Sequence, residues 1–224
     1  MIDPSSLGSG INAPQLAAGF FTFEGLMDAY LAATEIVDWQ HPAVLRLARD
    51  LADESLLETA NRCFEWVRDE IRHSYDFQLN PVTCSASEVL EARTGYCYAK
   101  SHLLAALLRA NHIPAGFCYQ RLRLDENEER YALHGLNAVY LPEYGWYRVD
   151  ARGNKNSVNA QFTPPVEQLA FRLEYNGEAD LPSIWTDPLP EVIKALRSYE
   201  TWDQLMKNLP DVSLPLSAEE GEQL

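Results

Sequence analysis

The sequence is short of basic residues. Eighteen lysines and arginines stand against 33 acidic side chains, a formal net charge of −15. Such a surplus repels phosphate backbones and anionic lipid, which argues against nucleic-acid binding and against a membrane-surface role. No apolar run approaches the length needed to span a bilayer, and the opening Met-Ile-Asp-Pro-Ser-Ser lacks the basic and continuous apolar parts of an export signal. The expectation is a soluble, cytoplasmic protein. Cysteine is also scarce: Cys63, Cys84, Cys97 and Cys118 could form two bridges in three connectivities, but a chain of 224 residues without an export signal does not depend on them. Free thiols are expected. There is no C-x-x-C pair, no H-E-x-x-H pair and no acidic calcium loop, so neither a metal nor another cofactor is expected, and a metal site assembled from Cys97, His102, His112 or Cys118 is disfavoured.

What is present suits a core. Hydrophobic residues make up 46% of the chain, enough for one large domain. Residues 1–18, rich in Ser, Gly and Pro, read as an extended arm; residues 19–210 read as a single domain with a C-terminal extension; residues 211–224 read as an acidic, mobile tail. Helical spacing begins at Pro42, and a second helix opens at Ser55, whose hydroxyl is spaced for a capping box with Glu58. Its apolar face runs through Leu56, Leu57, Ala60, Cys63, Phe64, Val67 and Ile71, which makes Cys63 a packing residue. Ser85 and Glu88 repeat the capping spacing before a short helix for which Gly95 supplies a left-handed end.

A helix with almost no polar face follows, from Cys97 to Ala110, stopped by Asn111 and Ile113-Pro114. Strands are predicted next at Phe117–Leu124, His134–Tyr140 and Trp146–Val149, with 125–130 as a solvated hairpin tip and Pro142-Glu-Tyr-Gly145 as a turn. One further helix is predicted from Glu191 to about Asn208. Helices first and strands later is an α+β order.

Cys97 stands at a helix entrance, where unpaired N–H groups and the positive end of the dipole favour an anion and can hold an oxyanion. A thiolate nucleophile needs a base, and the base an orienting group. Of the five histidines, His134 opens a strand whose hairpin partner ends on Asp150. His41, His73, His102 and His112 read as structural or solvated. Side chains alternate along a strand, so His134 and Asp150 share a face only if paired residue numbers sum to an even value. A four-residue loop gives an odd sum; a three- or five-residue loop, or a bulge near Gly145, gives an even one.

Three blocks in order, R-T-G-Y-C-Y-A-K-S-H-L-L-A-A-L-L-R-A-N-H-I-P-A-G-F, L-H-G-L-N-A-V-Y-L and Y-G-W-Y-R-V-D-A-R-G, resemble the transglutaminase-like cysteine enzymes, specifically bacterial transglutaminase-like domain proteins, over about residues 56–155. The resemblance implies a papain-like α+β core in which a central helix carrying the cysteine packs on an antiparallel sheet carrying histidine and aspartate. It implies Cys97 as nucleophile, His134 as general base and acid, and Asp150 as the group that orients the imidazolium. Leu136 stands where many members have an aromatic residue, and Ala-Arg-Gly follows Asp150 where Pro-Thr or a similar pair is common, so the acceptor site differs. A second oxyanion donor is sought upstream of the cysteine, with Tyr75 and Gln78 as candidates. The activity implied is acyl transfer on a peptide or protein amide through a thioester, with hydrolysis favoured over transamidation. The competing reading is an inactive module that binds peptides in the old cleft.

Overall fold

The computed structural model describes residues 23–125 and 128–212. The expected arm at 1–18 and residues 213–224 of the expected tail lie outside those residues, while the tail's first two residues are held, Asp211 by Arg121 and Val212 against the core. The N-terminal half is helical: α1 (Phe23–Ala29), α2 (Pro42–Leu51), α3 (Leu56–Glu70), the two-residue β1 (Arg72–His73), α4 (Ser74–Phe77), α5 (Ala86–Ala92) and β2 (Thr94–Gly95), which pairs in parallel with β1. Local chemistry sets these boundaries. At α5, Ser85 Oγ accepts the Glu88 N–H while Glu88 Oε2 accepts the N–H groups of Cys84 and Ser85, so the expected capping box is complete.

The box expected at α3 is only half made. Ser55 Oγ accepts the Glu58 N–H at 3.3 Å, but the Ser55 N–H donates to Asp53, and Glu58 turns outward to Arg62. Leu56, expected on the packed face, is exposed. The left-handed end of α5 falls on Arg93, at φ 54°, rather than on Gly95. Gly95 serves a different need: a Cβ there would stand 3.2 Å from both Ala99 Cβ and Thr83 Oγ1, so glycine lets β2 pass this close to the following helix without displacing either neighbour.

That helix is α6 (Cys97–Ala110), and all of it except Ala110 is buried. Its apolar side chains pack between α2, α3, α5 and the sheet, and its buried polar side chains each reach a main-chain partner, although His102 Nε2 stays unbonded. Lys100 Nζ donates to Arg68 O and Ile71 O, at the end of α3; His102 Nδ1 bonds Cys84 O at 2.7 Å; Arg109 donates to Ala32 O, Ala115 O and Thr186 O.

The sheet comprises β3 (Ala115–Asp125), β4 (Glu128–Leu141), β5 (Gly145–Val149) and β6 (Ala179–Asp180), antiparallel in the order β5-β4-β3-β6. Fold class is therefore α+β, with a central helix on an antiparallel sheet, as expected. Strands β3 and β4 run further than predicted, because the acidic run continues the ladder as far as an Asp125–Glu128 pair. Leu141 pairs with Gly145, so a three-residue loop closes the β4–β5 hairpin, with Tyr144 N–H on Leu141 O and Gly145 at φ 75°. The paired numbers sum to an even value. The helix expected from Glu191 to Asn208 is two helices, α7 (Pro190–Ser198) and α8 (Trp202–Lys207). The break occurs where Glu200 O accepts the Val82 N–H and Trp202 N–H donates to Asn80, tying this segment to the loop before α5. Among the described residues no helix is long and apolar enough to cross a membrane.

Candidate active site

Strand β5 ends at Val149, opposite Asn137, and the edge of β4 beyond that point is filled by the tip of α6. Gly135 makes this possible. A Cβ there would come within 2.9 Å of Tyr98 Cδ1 and 3.2 Å of Tyr98 Cα, so a side chain would push the helix entrance off the strand. Without one, Gly135 N–H donates to Cys97 Sγ at 3.5 Å, and Tyr98 Oη donates to Leu133 O. The first N–H to enter the helix ladder is that of Lys100, on Tyr96 O at 2.9 Å. The N–H of Cys97 is left for a ligand.

His134 precedes Gly135 on β4, and the three-residue hairpin loop turns Asp150 to the same face. The imidazole Nε2 and Asp150 Oδ2 stand 2.7 Å apart in a fully enclosed contact. With Nε2 taken, Nδ1 is the ring nitrogen left for another partner, and Cys97 lies near enough to favour the charged imidazole. Burial pushes the His134 pKa down, but the Asp150 carboxylate and the Cys97 sulfur outweigh it and raise the pKa above the usual histidine range. Burial likewise pushes the Asp150 carboxyl up. The facing imidazolium and the N–H groups of Ala170 and Arg152, each 3.1 Å from a carboxylate oxygen, reverse this and hold it below the usual range.

Cys97 and His134 open onto a cleft of about 1320 Å³. It is lined as well by residues between Ser157 and Glu178, by Leu122–Leu124 of β3, and by Tyr75, Met206 and Leu209. Asp150 lies behind His134, away from the cleft. Of the sequence candidates for a second oxyanion donor, Tyr75 lines the cleft and Gln78 does not.

The other candidates separate cleanly from the site. His41 and His112 are exposed, and His102 is spent on Cys84 O. Burial raises the Cys63 and Cys118 thiols to about 12 and the Cys84 thiol to about 11, which keeps them protonated. Cys97, His102, His112 and Cys118 do not converge: among the described residues no group of three or more His, Cys, Asp or Glu side chains is placed to hold a metal. Tyr119 and Tyr147 are buried in the core, and Trp146 packs against Tyr30 and Tyr140, so these aromatics support the sheet.

Sequence reasoning missed four contributors. Ala170 and Phe171 belong to a loop without periodicity, yet one donates to Asp150 and the other sets its ring edge-on to His134, with centroids 5.0 Å apart. Arg152, read only as a neutraliser of nearby acids, binds Asp76 through both guanidinium ends, at 2.6 and 3.1 Å, and so ties the Asp150 turn to α4. His73, read as the end of a helix, is buried in β1 and lines the cleft beside Cys97. A signal for Arg152 was available in its spacing, two residues beyond Asp150 and so able to return its N–H to that carboxylate.

Residues 45–151 match the family model of the transglutaminase-like superfamily, an interval that holds Cys97, His134 and Asp150 in order. This segment is similar to a transglutaminase-like core. No curated protein matches the chain. Solved structures similar to it include a candidate cysteine protease from Cytophaga hutchinsonii, at 19% identity over 57% of this chain and 42% of that one with a TM-score of 0.46. The periplasmic domain of TgpA from Pseudomonas aeruginosa is 22% identical over 55% of this chain and 45% of its own, with a TM-score of 0.41. A candidate protease from Parabacteroides distasonis is 12% identical over 73% and 30%, with a TM-score of 0.40. The chain thus spans less than half the length of each of these structures.

Proposed function

We propose that this transglutaminase-like protein is a thiol enzyme that cleaves amide bonds of peptides or proteins through Cys97, His134 and Asp150. The observation that carries the reading is the His134 Nε2–Asp150 contact at 2.7 Å, with Cys97 held against the neighbouring Gly135 and both Cys97 and His134 lining one large cleft. Cys97 sulfur, as the thiolate, attacks the amide carbonyl carbon; a C–S bond forms and the carbonyl π pair moves to oxygen. Collapse of that oxyanion breaks the C–N bond, and the His134 imidazolium gives its proton to the departing nitrogen, leaving a thioester and a free amine. Water then attacks the thioester as neutral His134 takes its proton. The C–S bond breaks, the acid leaves, and thiolate and imidazolium are restored.

Asp150 keeps the imidazole in the tautomer and orientation this cycle requires and stabilises its charged form. The breadth of the cleft supports hydrolysis over transamidation, because transfer to an amine requires that water be kept from the thioester. A reducing compartment such as the cytoplasm is in keeping with four free thiols. The test is turnover of a glutamine-containing peptide, with and without an added primary amine, by wild type and Cys97→Ala. The reading expects ammonia or a cleaved peptide from the wild type, a small share of amine adduct, and no turnover by the variant. Full activity in Cys97→Ala would reject it.

A further inference from the structure

Acyl transfer at Cys97 places negative charge on the attacked carbonyl oxygen, and that oxygen needs at least two donors already aimed at it. The Cys97 N–H is one. Most polar groups on the cleft wall near the sulfur are committed elsewhere: the Tyr96 hydroxyl to Trp202 O, the Tyr98 hydroxyl to Leu133 O, the Gln120 amide nitrogen to Asp180, and the Arg152 guanidinium to Asp76. His73 is different. The β1–β2 pair sets it beside Gly95, two residues before Cys97, with its ring edge-on to Tyr96 at 5.5 Å. Its Nδ1 is enclosed without a hydrogen-bond partner, while the ring lines the cleft, which leaves Nε2 as its polar atom on that side.

Two features suit this nitrogen to donate. Burial, assisted by the charge of Arg152, drives the His73 pKa well below the histidine range, so the ring is neutral; a neutral imidazole N–H polarises a carbonyl without transferring its proton. Nδ1 lies 3.7 Å from Asp76 Oδ2, too far for a hydrogen bond, and both oxygens of that carboxylate are already filled by Arg152 and Lys155. Nothing pins the proton to Nδ1, and an oxyanion in the cleft selects the Nε2–H form.

We propose that His73 Nε2–H and the Cys97 N–H together form the oxyanion hole, making His73 a catalytic residue that stabilises the tetrahedral intermediate. This rests on the acyl-transfer reading above. The test measures kcat and KM on a fluorogenic glutamine-containing peptide amide, together with the rate of Cys97 alkylation by iodoacetamide, for wild type, His73→Ala, His73→Gln and Tyr75→Phe. Alkylation occurs at a saturated carbon and makes no oxyanion, so it reports the nucleophile alone. Expected for His73→Ala is a fall in kcat of about 10²–10³-fold, with KM and alkylation changed by less than about threefold. His73→Gln, which keeps an N–H donor, recovers at least about tenfold of that loss, and Tyr75→Phe lowers kcat by less than His73→Ala does. The proposal is overturned if His73→Ala keeps wild-type kcat, if alkylation falls in parallel with kcat, if glutamine gives no recovery, or if Tyr75→Phe carries the loss instead. A wild-type protein that alkylates normally but turns over no amide would reject the acyl-transfer reading itself, and this inference with it.

Discussion

The two ends of the central helix α6 hold buried polar chemistry in opposite states. At the C-terminal end Arg109 is enclosed and its guanidinium is consumed by the carbonyls of Ala32, Ala115 and Thr186, so three separate chain segments are stapled to the helix. At the N-terminal end Cys97, its sulfur touched by Gly135 N–H, lines a cleft, and the neighbouring His134 bonds Asp150 through Nε2 and keeps its other ring nitrogen for a further partner. Polar atoms that are all paired add rigidity; polar atoms with one valence left toward a cavity add reactivity. The same helix does both because its middle is apolar and fixed.

That contrast can be broken at either end. Removing the sulfur should have the largest effect: Cys97→Ala is expected to lower amide turnover by at least about 10⁴-fold while the thermal midpoint stays near wild type, since no packing partner of size is lost. Asp150→Asn should follow, with a loss on the order of 10³-fold in kcat because the imidazole tautomer is no longer enforced. At the other end, Arg109→Met leaves carbonyls unpaired in the core and should cost about 2–4 kcal/mol in urea unfolding. The turnover of its folded fraction should be unchanged; a turnover loss out of proportion to unfolding would show that the two ends are not independent.

A smaller effect is the pH dependence of stability. The raised His134 pKa contributes stability in full below the unfolded value near 6.5 and loses it as pH rises toward about 10. The depressed Asp150 pKa contributes above the ordinary carboxylate range and is lost in acid. Wild type should therefore lose urea resistance between pH 6.5 and 9 relative to His134→Gln, and a parallel pair of curves would contradict the charged contact. The mildest test is thiol counting by mass: one alkylated cysteine in the native protein and four after denaturation, since Cys63, Cys84 and Cys118 are enclosed and held protonated.

Much of this was legible in the residues. The absence of a polar face on 103–110 identified the central helix, the Ser85–Glu88 spacing located its predecessor, and the order Cys97, His134, Asp150 pointed to the candidate site. The face shared by His134 and Asp150 was not legible, because it depends on whether the turn after Leu141 holds three residues or four, and that rests on Gly145 adopting φ 75°. Nor were the roles of Ala170 and His73. The first acts through its backbone N–H, which carries no residue signature, and the second is placed by a two-residue parallel pair too short to show a period.

The central claim is that an imidazolium, kept charged by Asp150, faces the Cys97 sulfur across neutral pH. The most direct measurement is the rate of Cys97 alkylation by iodoacetamide from pH 5 to 9 in wild type and His134→Ala. The account predicts substantial reaction near pH 6 in the wild type and a loss of about tenfold or more in the variant at that pH. Identical profiles, or a wild-type sulfur that reacts only above pH 8, would contradict it.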